Sequence, residues 1–225
     1  MAAQQRVQYP KFEATMIEGA RLINNAFWKR DKYDDAAAPM YRFEVAFKKG
    51  DKAFDDFLNK VADYADEAHG PFKGADDLYG VFDIDGGYLA SGVKDGDKMA
   101  AKREREGKPG DAYKGHWVLR ASTQYNAQGQ DAEGGAYVVD EDGNLVTPMQ
   151  AGKIYNGCFG RVVVTLGGYK EAKTGYPGIK VYMNGFQKTG DGEKLVSVSA
   201  AQGLFKPVGR AEGAEAAPRR RRGGA

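Results

Sequence analysis

KIYNGCFGRVVVTL, which runs from Lys153 to Leu166, decides the fold that we predict for this chain. Successive side chains of a β-strand point to opposite faces of the sheet. One face of this stretch is therefore aliphatic, and the other face carries Tyr155, Phe159 and Arg161. The alternation predicts a strand with one face in a hydrophobic core.

A second alternating stretch, GIKVYMNGFQK from Gly178 to Lys188, is its expected partner strand. Its aliphatic residues alternate with Lys180 and Tyr182, and Phe186 falls on the same side as these two. Both strands thus combine aromatic rings and cations on one face, which is typical of single-stranded nucleic-acid binding because bases stack on rings and cations attract phosphates. The same pattern also fits an ordinary antiparallel sheet whose outer rings pack under a loop, and the pattern alone leaves both explanations open.

The composition is that of a globular chain, with 42% hydrophobic and 12% aromatic residues. There are 33 Lys and Arg against 31 Asp and Glu, and four of these cations form the run Arg219–Arg222. Residues 1–218 therefore carry 29 cations against 31 anions. Because this body is slightly acidic, a nucleic-acid site must be a local cluster of cations rather than a general excess of positive charge.

The sequence carries no catalytic or cofactor motif. The single cysteine, Cys158, excludes an internal disulfide and a cysteine-built zinc site, and His69 and His116 do not have metal-binding spacing. A phosphate loop, a dinucleotide fingerprint and a serine elbow are all missing. Asp-x-Asp-Gly segments begin at Asp83 and Asp140, and tight turns explain them better than calcium loops, whose other ligands are lacking. We therefore predict a protein that is not an enzyme and uses no metal or cofactor.

The remaining periodic segments predict a mainly β fold with an inserted helix. YRFEVAF, residues 41–47, alternates as a strand, and helical apolar spacing begins behind an N-cap at Asp51. Residues 113–122 form another strand, with Trp117 on its aliphatic face. The highly charged residues 94–111 are predicted to be a flexible loop, either without a role or closing as a basic flap on phosphates. Several short strands separated by glycine turns favour a closed or partly closed β-barrel.

The end of the chain differs in composition from the rest. From residue 209 onward Gly, Ala, Glu and Arg dominate, and the sequence ends APRRRRGGA. Such a composition cannot form a hydrophobic core. We therefore expect one β-domain over residues 1–208 and a flexible basic C-terminal tail over residues 209–225.

The order of several motifs resembles that of phage-encoded single-stranded-DNA-binding proteins with an OB-fold. These motifs are DGDK (95–98), YKGHWVLRAST (113–123), AYVVDEDGNLVT (136–147), IYNGCFGRVVVTL (154–166), GIKVYMNGFQKTGDGEKL (178–195) and AAQGLF (200–205). The N-terminal half is similar more loosely, through YPKF (9–12) and YRFEVAFKKGD (41–51). The resemblance covers about half of the chain, and it implies an OB-fold-like, partly open β-barrel.

The resemblance also implies binding of single-stranded DNA of any sequence during phage DNA replication or recombination. The rings and cations of the predicted strands supply the contacts, since bases stack on rings and phosphates attract cations. The candidate DNA-binding residues are Lys114, Trp117, Arg120, Tyr125, Tyr155, Phe159, Arg161, Lys180, Tyr182 and Phe186. Tyr155, Phe159 and Arg161 share one strand face and are the first candidates among them.

The run Arg219–Arg222 departs from the acidic tail that is common in such phage proteins. It predicts either additional attraction to phosphates, including those of duplex DNA, or a solubilising tail without a role. The expected partners are single-stranded DNA, duplex DNA more weakly, replication proteins and a second copy of the chain, but no membrane. Because the sequence shows no secretory or membrane-spanning segment, the expected location is the cytoplasm of the host cell.

Two other functions stay open from the sequence. A phage structural or interaction protein would use the same β-barrel to contact proteins instead of DNA. A metal-dependent nuclease would need carboxylates that converge on divalent metal ions, for which Asp83 and Asp85 are the candidates.

Overall fold

The computed structural model describes residues 8–32, 38–70, 92–129, 134–170 and 177–195. These residues form the elements β1 (Thr15–Asp31), β2 (Met40–Lys48), α1 (Lys52–His69), β3 (Val93–Asp95), α2 (Gly96–Arg105), β4 (His116–Thr123), β5 (Val138–Val139), β6 (Phe159–Lys170) and β7 (Pro177–Gly190). Short 3-10 helices, Asp111–Tyr113 and Pro148–Lys153, precede β4 and β6.

Five of these strands close into a barrel. β1 pairs antiparallel with β2 and with β6, β2 with β4, and β6 with β7. A parallel pair between Ser122 of β4 and Tyr182 of β7 closes the ring, and the short β3 and β5 extend the sheet at β4 and β7. This order of pairing is that of an OB-fold. The prediction of a mainly β, OB-fold-like barrel with an inserted helix is therefore confirmed.

Alternate side chains of the barrel strands form the core. In β6, Val162, Val164 and Leu166 are buried as predicted, while Phe159 and Arg161 lie on the outer face. Because inward and outward residues alternate, burial of one set leaves the other set available to a ligand. The largest fully buried rings are Phe27, Phe43, Phe47, Phe54, Phe57 and Phe186.

The inserted helix α1 begins where its sequence predicts. Oδ1 of Asp51 accepts a hydrogen bond from the backbone N–H of Phe54 at 3.1 Å, which caps the helix. The apolar side of α1 packs on the barrel, where the rings of Phe47 and Phe54 stack with their centroids 4.2 Å apart. The Tyr64 hydroxyl accepts a hydrogen bond from the backbone N–H of Gly168 at 3.0 Å. This bond holds the second half of α1 against β6.

Residues 94–111 form a strand and a helix, so the prediction of a flexible loop there is wrong. Asp95 caps α2 by accepting a hydrogen bond from the backbone N–H of Asp97. Nζ of Lys49 bridges both carboxylates, at 2.9 and 2.7 Å, and Ala100 is buried against the outer face of the barrel. Because the buried side of this short helix consists of small residues, its sequence shows no clear apolar period.

Some predictions lie outside the described residues. They concern Asp83, Asp85 and the tail over residues 209–225. Within the described ranges, no helix is long and apolar enough to cross a membrane.

Candidate nucleic-acid interface

Three of the predicted residues meet at the start of β6, and we call Tyr155, Phe159 and Arg161 the Phe159 cluster. The Phe159 side chain is 42% exposed, and Tyr155 is half-buried beside the core. The Tyr155 hydroxyl donates a hydrogen bond to the carboxylate of Asp191 at 2.8 Å. That hydrogen bond and partial burial raise the pKa of the phenol.

Two cations of the Phe159 cluster and its surroundings are bound to carboxylates, whereas the exposed Lys194 lies over the Tyr155 ring, 5.1 Å from its centre. Nη1 of Arg161 lies 3.1 Å from the carboxylate of Glu18. The buried Nζ of Lys188 bridges Glu141 and Asp191 at 2.9 and 2.7 Å. A phosphate would have to compete with these carboxylates for Arg161 and Lys188.

A second group of outward residues crosses β2, β4 and β7, and we call it the Tyr182 face. Arg42 pairs across the strands with Ser122, and Ser122 pairs with Tyr182, so these three form one row on the outside of the barrel. Glu44 and Arg120 form the next row. The Tyr182 face comprises Arg42, Glu44, Arg120, Ser122, Lys180 and Tyr182.

Tyr182 presents a flat ring on this face. Its side chain is 40% exposed and lies over Gly167 of β6, where a Cβ atom would come within 2.7 Å of Cε2 of Tyr182. Glycine lets the ring rest against the strand. Nζ of Lys180 lies 5.0 Å from the ring centre, and in the described part of the chain this ammonium forms no ion pair. The face therefore combines a partly exposed ring with a cation that lies over it and also contacts the sulfur of Met40 at 3.9 Å.

An ion pair between Glu44 and Arg120 lies inside the Tyr182 face. Nε of Arg120 is 2.7 Å from the carboxylate of Glu44, which is only 6% exposed. Burial and the charge of Glu44 raise the pKa of the nearby Tyr113 phenol, whereas the charges of Arg103 and Arg120 lower it. The guanidinium of Arg103 lies 4.9 Å from the centre of the Tyr113 ring. α2 therefore borders the face on this side.

Positive charge is concentrated at the end of β1, beside Arg42. Lys29, Arg30 and Lys32 are exposed there. The carboxylate within this run, Asp31, forms an ion pair with Arg42. In a chain whose body is slightly acidic, this is a local basic region of the kind that nucleic-acid binding requires.

Trp117 and Lys114 do not join either group. Trp117 is 6% exposed and belongs to the core, so its assignment to the site is wrong. Lys114 precedes β4 at the end opposite Ser122, and its ammonium is bound to Glu104 and Asp111 at 2.7 and 2.9 Å. Neither residue lies on the Tyr182 face.

Phe186 is 2% exposed, and its assignment to the outer face is also wrong. The register between β6 and β7 jumps between Met183 and Gly185, which leaves Asn184 as an extra residue on β7. Such a β-bulge reverses the alternation of side chains beyond it. Phe186 therefore turns into the core although it is an even number of residues from Tyr182.

The remaining predicted residue, Tyr125, is exposed and follows β4 at its Ser122 end. Arg42, Glu44 and Ser122 were not selected from the sequence. In the alternating sequence of residues 41–47, Arg42 and Glu44 fall on the side opposite Phe43 and Val45, and this pattern is the signal that could have found them. No three His, Cys, Asp or Glu side chains converge as a metal site would require within the described ranges.

Comparison with known proteins gave one family and several solved structures. Residues 14–216 match the family described as Enterobacter phage Enc34, ssDNA-binding protein. A search of curated protein sequences gave no match.

Several similar solved structures are those of phage proteins. The C-terminally truncated single-stranded DNA-binding protein from bacteriophage Enc34 aligns with a TM-score of 0.57 at 16% identity, over 81% of this chain and 88% of that chain. The same protein in complex with ssDNA aligns with a TM-score of 0.54 at 18% identity, over 81% and 89% of the two chains. For gp2.5, a single-stranded DNA binding protein encoded by bacteriophage T7, the TM-score is 0.49 at 10% identity, over 91% and 100%. At these identities the likeness concerns the fold.

The matched family is one of binding proteins rather than enzymes, which confirms the prediction that the chain is not an enzyme. The family match also confirms the resemblance found in the motif order. Because the match spans most of the sequence, this chain belongs to the single-stranded-DNA-binding protein family of Enterobacter phage Enc34.

Proposed function

We propose that this protein binds single-stranded DNA of any sequence on the Tyr182 face and covers exposed strands during phage DNA replication or recombination. The observation that carries this proposal is the exposed Tyr182 ring with the Lys180 ammonium 5.0 Å from its centre, a cation that has no carboxylate partner among the described residues. Membership of a phage family described by single-stranded DNA binding supports the ligand and the setting.

The position of the face supports the same ligand. β2 and β4 are the second and third strands of the five-stranded barrel in chain order. OB-folds bind oligonucleotides across the outer face of these two strands. In this chain those strands contribute Arg42, Glu44, Arg120 and Ser122, and β7 adds Tyr182 next to Ser122.

The contacts on this face are independent of base identity. A base stacked on an aromatic ring gains about 1–3 kcal/mol, and every base has a π-face. Lys180 attracts phosphates as a point charge, and Glu44 holds the guanidinium of Arg120 in a fixed orientation. Single-stranded DNA that stacks its bases on the ring and places its phosphates at these cations can therefore bind whatever its sequence.

Fluorescence anisotropy with labelled oligonucleotides tests the proposal. Single strands of equal length and different sequence should bind with similar affinities, and duplex DNA should bind more weakly. The logarithm of the binding constant should fall linearly with the logarithm of the salt concentration, by about 0.7 for each phosphate neutralised. Absence of binding at low salt, or binding that does not respond to salt, would refute the proposal and favour a protein-interaction barrel.

A further inference from the structure

We propose that the end of β1 is a second contact for the same DNA strand, where a base stacks on Trp28 and the cations beside it hold the adjoining phosphates. The inference rests on the proposed function, and it gives the bound strand a path across the barrel from β7 to β1. Residues 25–31 line a cleft of about 360 Å³, which we call the β1 cleft. Ligand pockets measure about 300–1,000 Å³, so the cleft has the size of a small-ligand site, such as one base with its sugar.

A row of paired residues leads from the Tyr182 face to the β1 cleft. Tyr182 pairs with Ser122, Ser122 pairs with Arg42, and Arg42 pairs with Ala26, which lines the cleft. Residues that pair across strands share one face of the sheet. Neighbouring strands are about 4.8 Å apart, so the three steps of this row span about 14 Å. OB-folds occupy about 4–16 nucleotides, and a single strand that follows the row can therefore contact both places at once.

Trp28 provides an aromatic ring in the β1 cleft. Its side chain is half-buried, and it lies on the outer side of β1 because the preceding Phe27 points into the core. The ring rests on Gly135, where a Cβ atom would clash with Cε3 of Trp28. Tyr182 rests on Gly167 in the same way. In both places glycine supports one side of a ring, and at Trp28 the side that lines the cleft can accept a base.

Three exposed cations follow Trp28 closely in the chain, namely Lys29, Arg30 and Lys32. Nη2 of Arg30 donates to the carbonyl of Gln124 at 2.8 Å, and the guanidinium lies 5.3 Å from the centre of the Tyr41 ring. These contacts hold Arg30 between β1 and the end of β4. Arg30 can therefore meet a phosphate at little further cost in side-chain entropy.

One carboxylate, Asp31, lies among these cations, and it is bound to Arg42. The hydrogen bond and the charge of Arg42 hold the pKa of Asp31 below its ordinary value, and the charge of Lys29 adds to this effect. Residues 28–32 together with Arg42 thus carry four cations and one carboxylate. A phosphate at the β1 cleft is attracted by this positive balance.

Tryptophan fluorescence tests the inference on the full chain. The protein has two tryptophans, of which Trp117 is buried in the core and Trp28 lines the β1 cleft. A base that stacks on an indole ring quenches its fluorescence. Unlabelled oligo-dT of about 16 nucleotides should therefore quench the wild type in step with the binding measured by anisotropy. Trp28→Phe should lose most of this quenching, whereas Trp117→Phe should retain it.

Affinity measurements separate the contribution of the ring from that of the cations. Trp28→Phe keeps a ring and should bind oligo-dT within about threefold of the wild type, whereas Trp28→Ala should bind about ten- to a hundredfold more weakly. Lys29→Ala combined with Lys32→Ala should reduce the salt slope by about 1.4, which is about 0.7 for each phosphate. The control, Lys52→Ala combined with Lys60→Ala, removes two exposed cations of α1 and should leave the slope unchanged.

Circular dichroism melts establish which of these variants are folded. If Trp28→Ala does not fold, the quenching experiment and the lysine variants still decide the question.

Three results would show that the β1 cleft does not contact DNA. They are binding of oligo-dT without quenching of the wild type, equal quenching of the wild type and Trp28→Phe, and a salt slope of the Lys29 and Lys32 variant equal to that of its control. The proposed function would still stand if Tyr182→Ala weakens binding. If the wild-type protein does not bind oligo-dT, the proposed function and this inference fail together.

Discussion

The ring of Tyr182 lies against the backbone of Gly167, so close that a Cβ atom on Gly167 would come within 2.7 Å of Cε2 of the ring. The two residues belong to neighbouring strands, since Gly167 pairs with Lys180 and Tyr182 pairs with Thr165. A tyrosine that rests on a glycine has one side of its ring supported by the strand. It therefore offers a base a platform at low cost in side-chain entropy.

Gly167→Ala should displace this ring and weaken oligonucleotide binding. The expected loss approaches that of Tyr182→Ala, about 1–3 kcal/mol for one stacked base, while the melting temperature changes little because the displaced ring is partly exposed. In the background of Tyr182→Ala, the same Gly167→Ala change should cause no further loss. Additive losses in this double-mutant cycle would show that Gly167 does not act through the ring.

Glu44→Gln should strengthen binding. The Glu44 carboxylate is buried in the Tyr182 face and bonded to Arg120 at 2.7 Å, so it repels phosphates and holds part of the charge of the arginine. Glutamine keeps a hydrogen-bond acceptor and removes the negative charge, and binding at low salt should improve by about 0.5–1 kcal/mol, about two- to fivefold in affinity.

The matched control for Glu44→Gln is Glu18→Gln, which removes the partner of Arg161. This change should leave the affinity unaltered. If Glu18→Gln increases the affinity for DNA and Glu44→Gln does not, the DNA binds on the Phe159 cluster instead.

Asp97→Asn should lower stability at neutral pH and much less in acid. Hydrogen bonds from Lys49 and from the backbone of Gly115 hold the pKa of the Asp97 carboxyl below its ordinary value. A carboxyl group of this kind stabilises the fold above its unfolded pKa of about 4, and the contribution disappears as the pH falls through the lower folded pKa.

The carboxylate of Asp97 is about half exposed, so the difference at pH 7 should stay below about 1 kcal/mol. Thermal melts of the wild type and Asp97→Asn at about pH 7 and pH 3 measure this difference in stability. Asp56→Asn, which removes an exposed partner of Lys52, should have almost no effect at either pH. If the difference in stability between the wild type and Asp97→Asn persists or grows in acid, the Asp97 carboxyl does not have the lowered pKa described above.

Phe186→Ala should unfold the protein readily. The ring is fully buried, and removal of a buried phenylalanine side chain costs about 3–5 kcal/mol. Phe159→Ala, the same chemical change on an exposed ring, should cost below about 1 kcal/mol. Urea unfolding compares the two variants, and equal costs would mean that the β-bulge in β7 has been placed incorrectly.

Alternation predicted most of the barrel because it reports a local property of the chain. Val162, Val164 and Leu166 are buried and Phe159 and Arg161 are outward, as their spacing indicates. The start of α1 was equally predictable, since the Asp51 cap acts on a backbone N–H only three residues away.

Alternation failed where the backbone changes its register. The extra residue at Asn184 reverses the two faces of β7, and the sequence contains no local sign of it except the neighbouring Gly185. Phe186 was misassigned for that reason. α2 was missed because its buried side consists of the small residues Gly96 and Ala100, and because the Lys49 ammonium that pairs with Asp95 and Asp97 comes from more than forty positions away in the chain.

The choice of site depended on ion pairs that no sequence pattern shows. Arg161 and Lys180 look alike in the sequence, as cations beside aromatic residues. In the structure Arg161 is paired with Glu18, whereas Lys180 lies beside the Tyr182 ring. The barrel brings Glu18 to β6 by pairing β1 with β6, and only that long-range contact separates the two candidates.

The most direct test compares Tyr182→Ala with Phe159→Ala in salt-titrated binding to oligo-dT. The two rings are almost equally exposed, at 40% and 42%, so the variants remove similar surfaces. We predict that Tyr182→Ala weakens binding by about 1–3 kcal/mol, whereas Phe159→Ala stays within about twofold of the wild type. If Tyr182→Ala binds oligo-dT as tightly as the wild type, DNA does not bind on the Tyr182 face. This conclusion holds whether or not Phe159→Ala weakens binding.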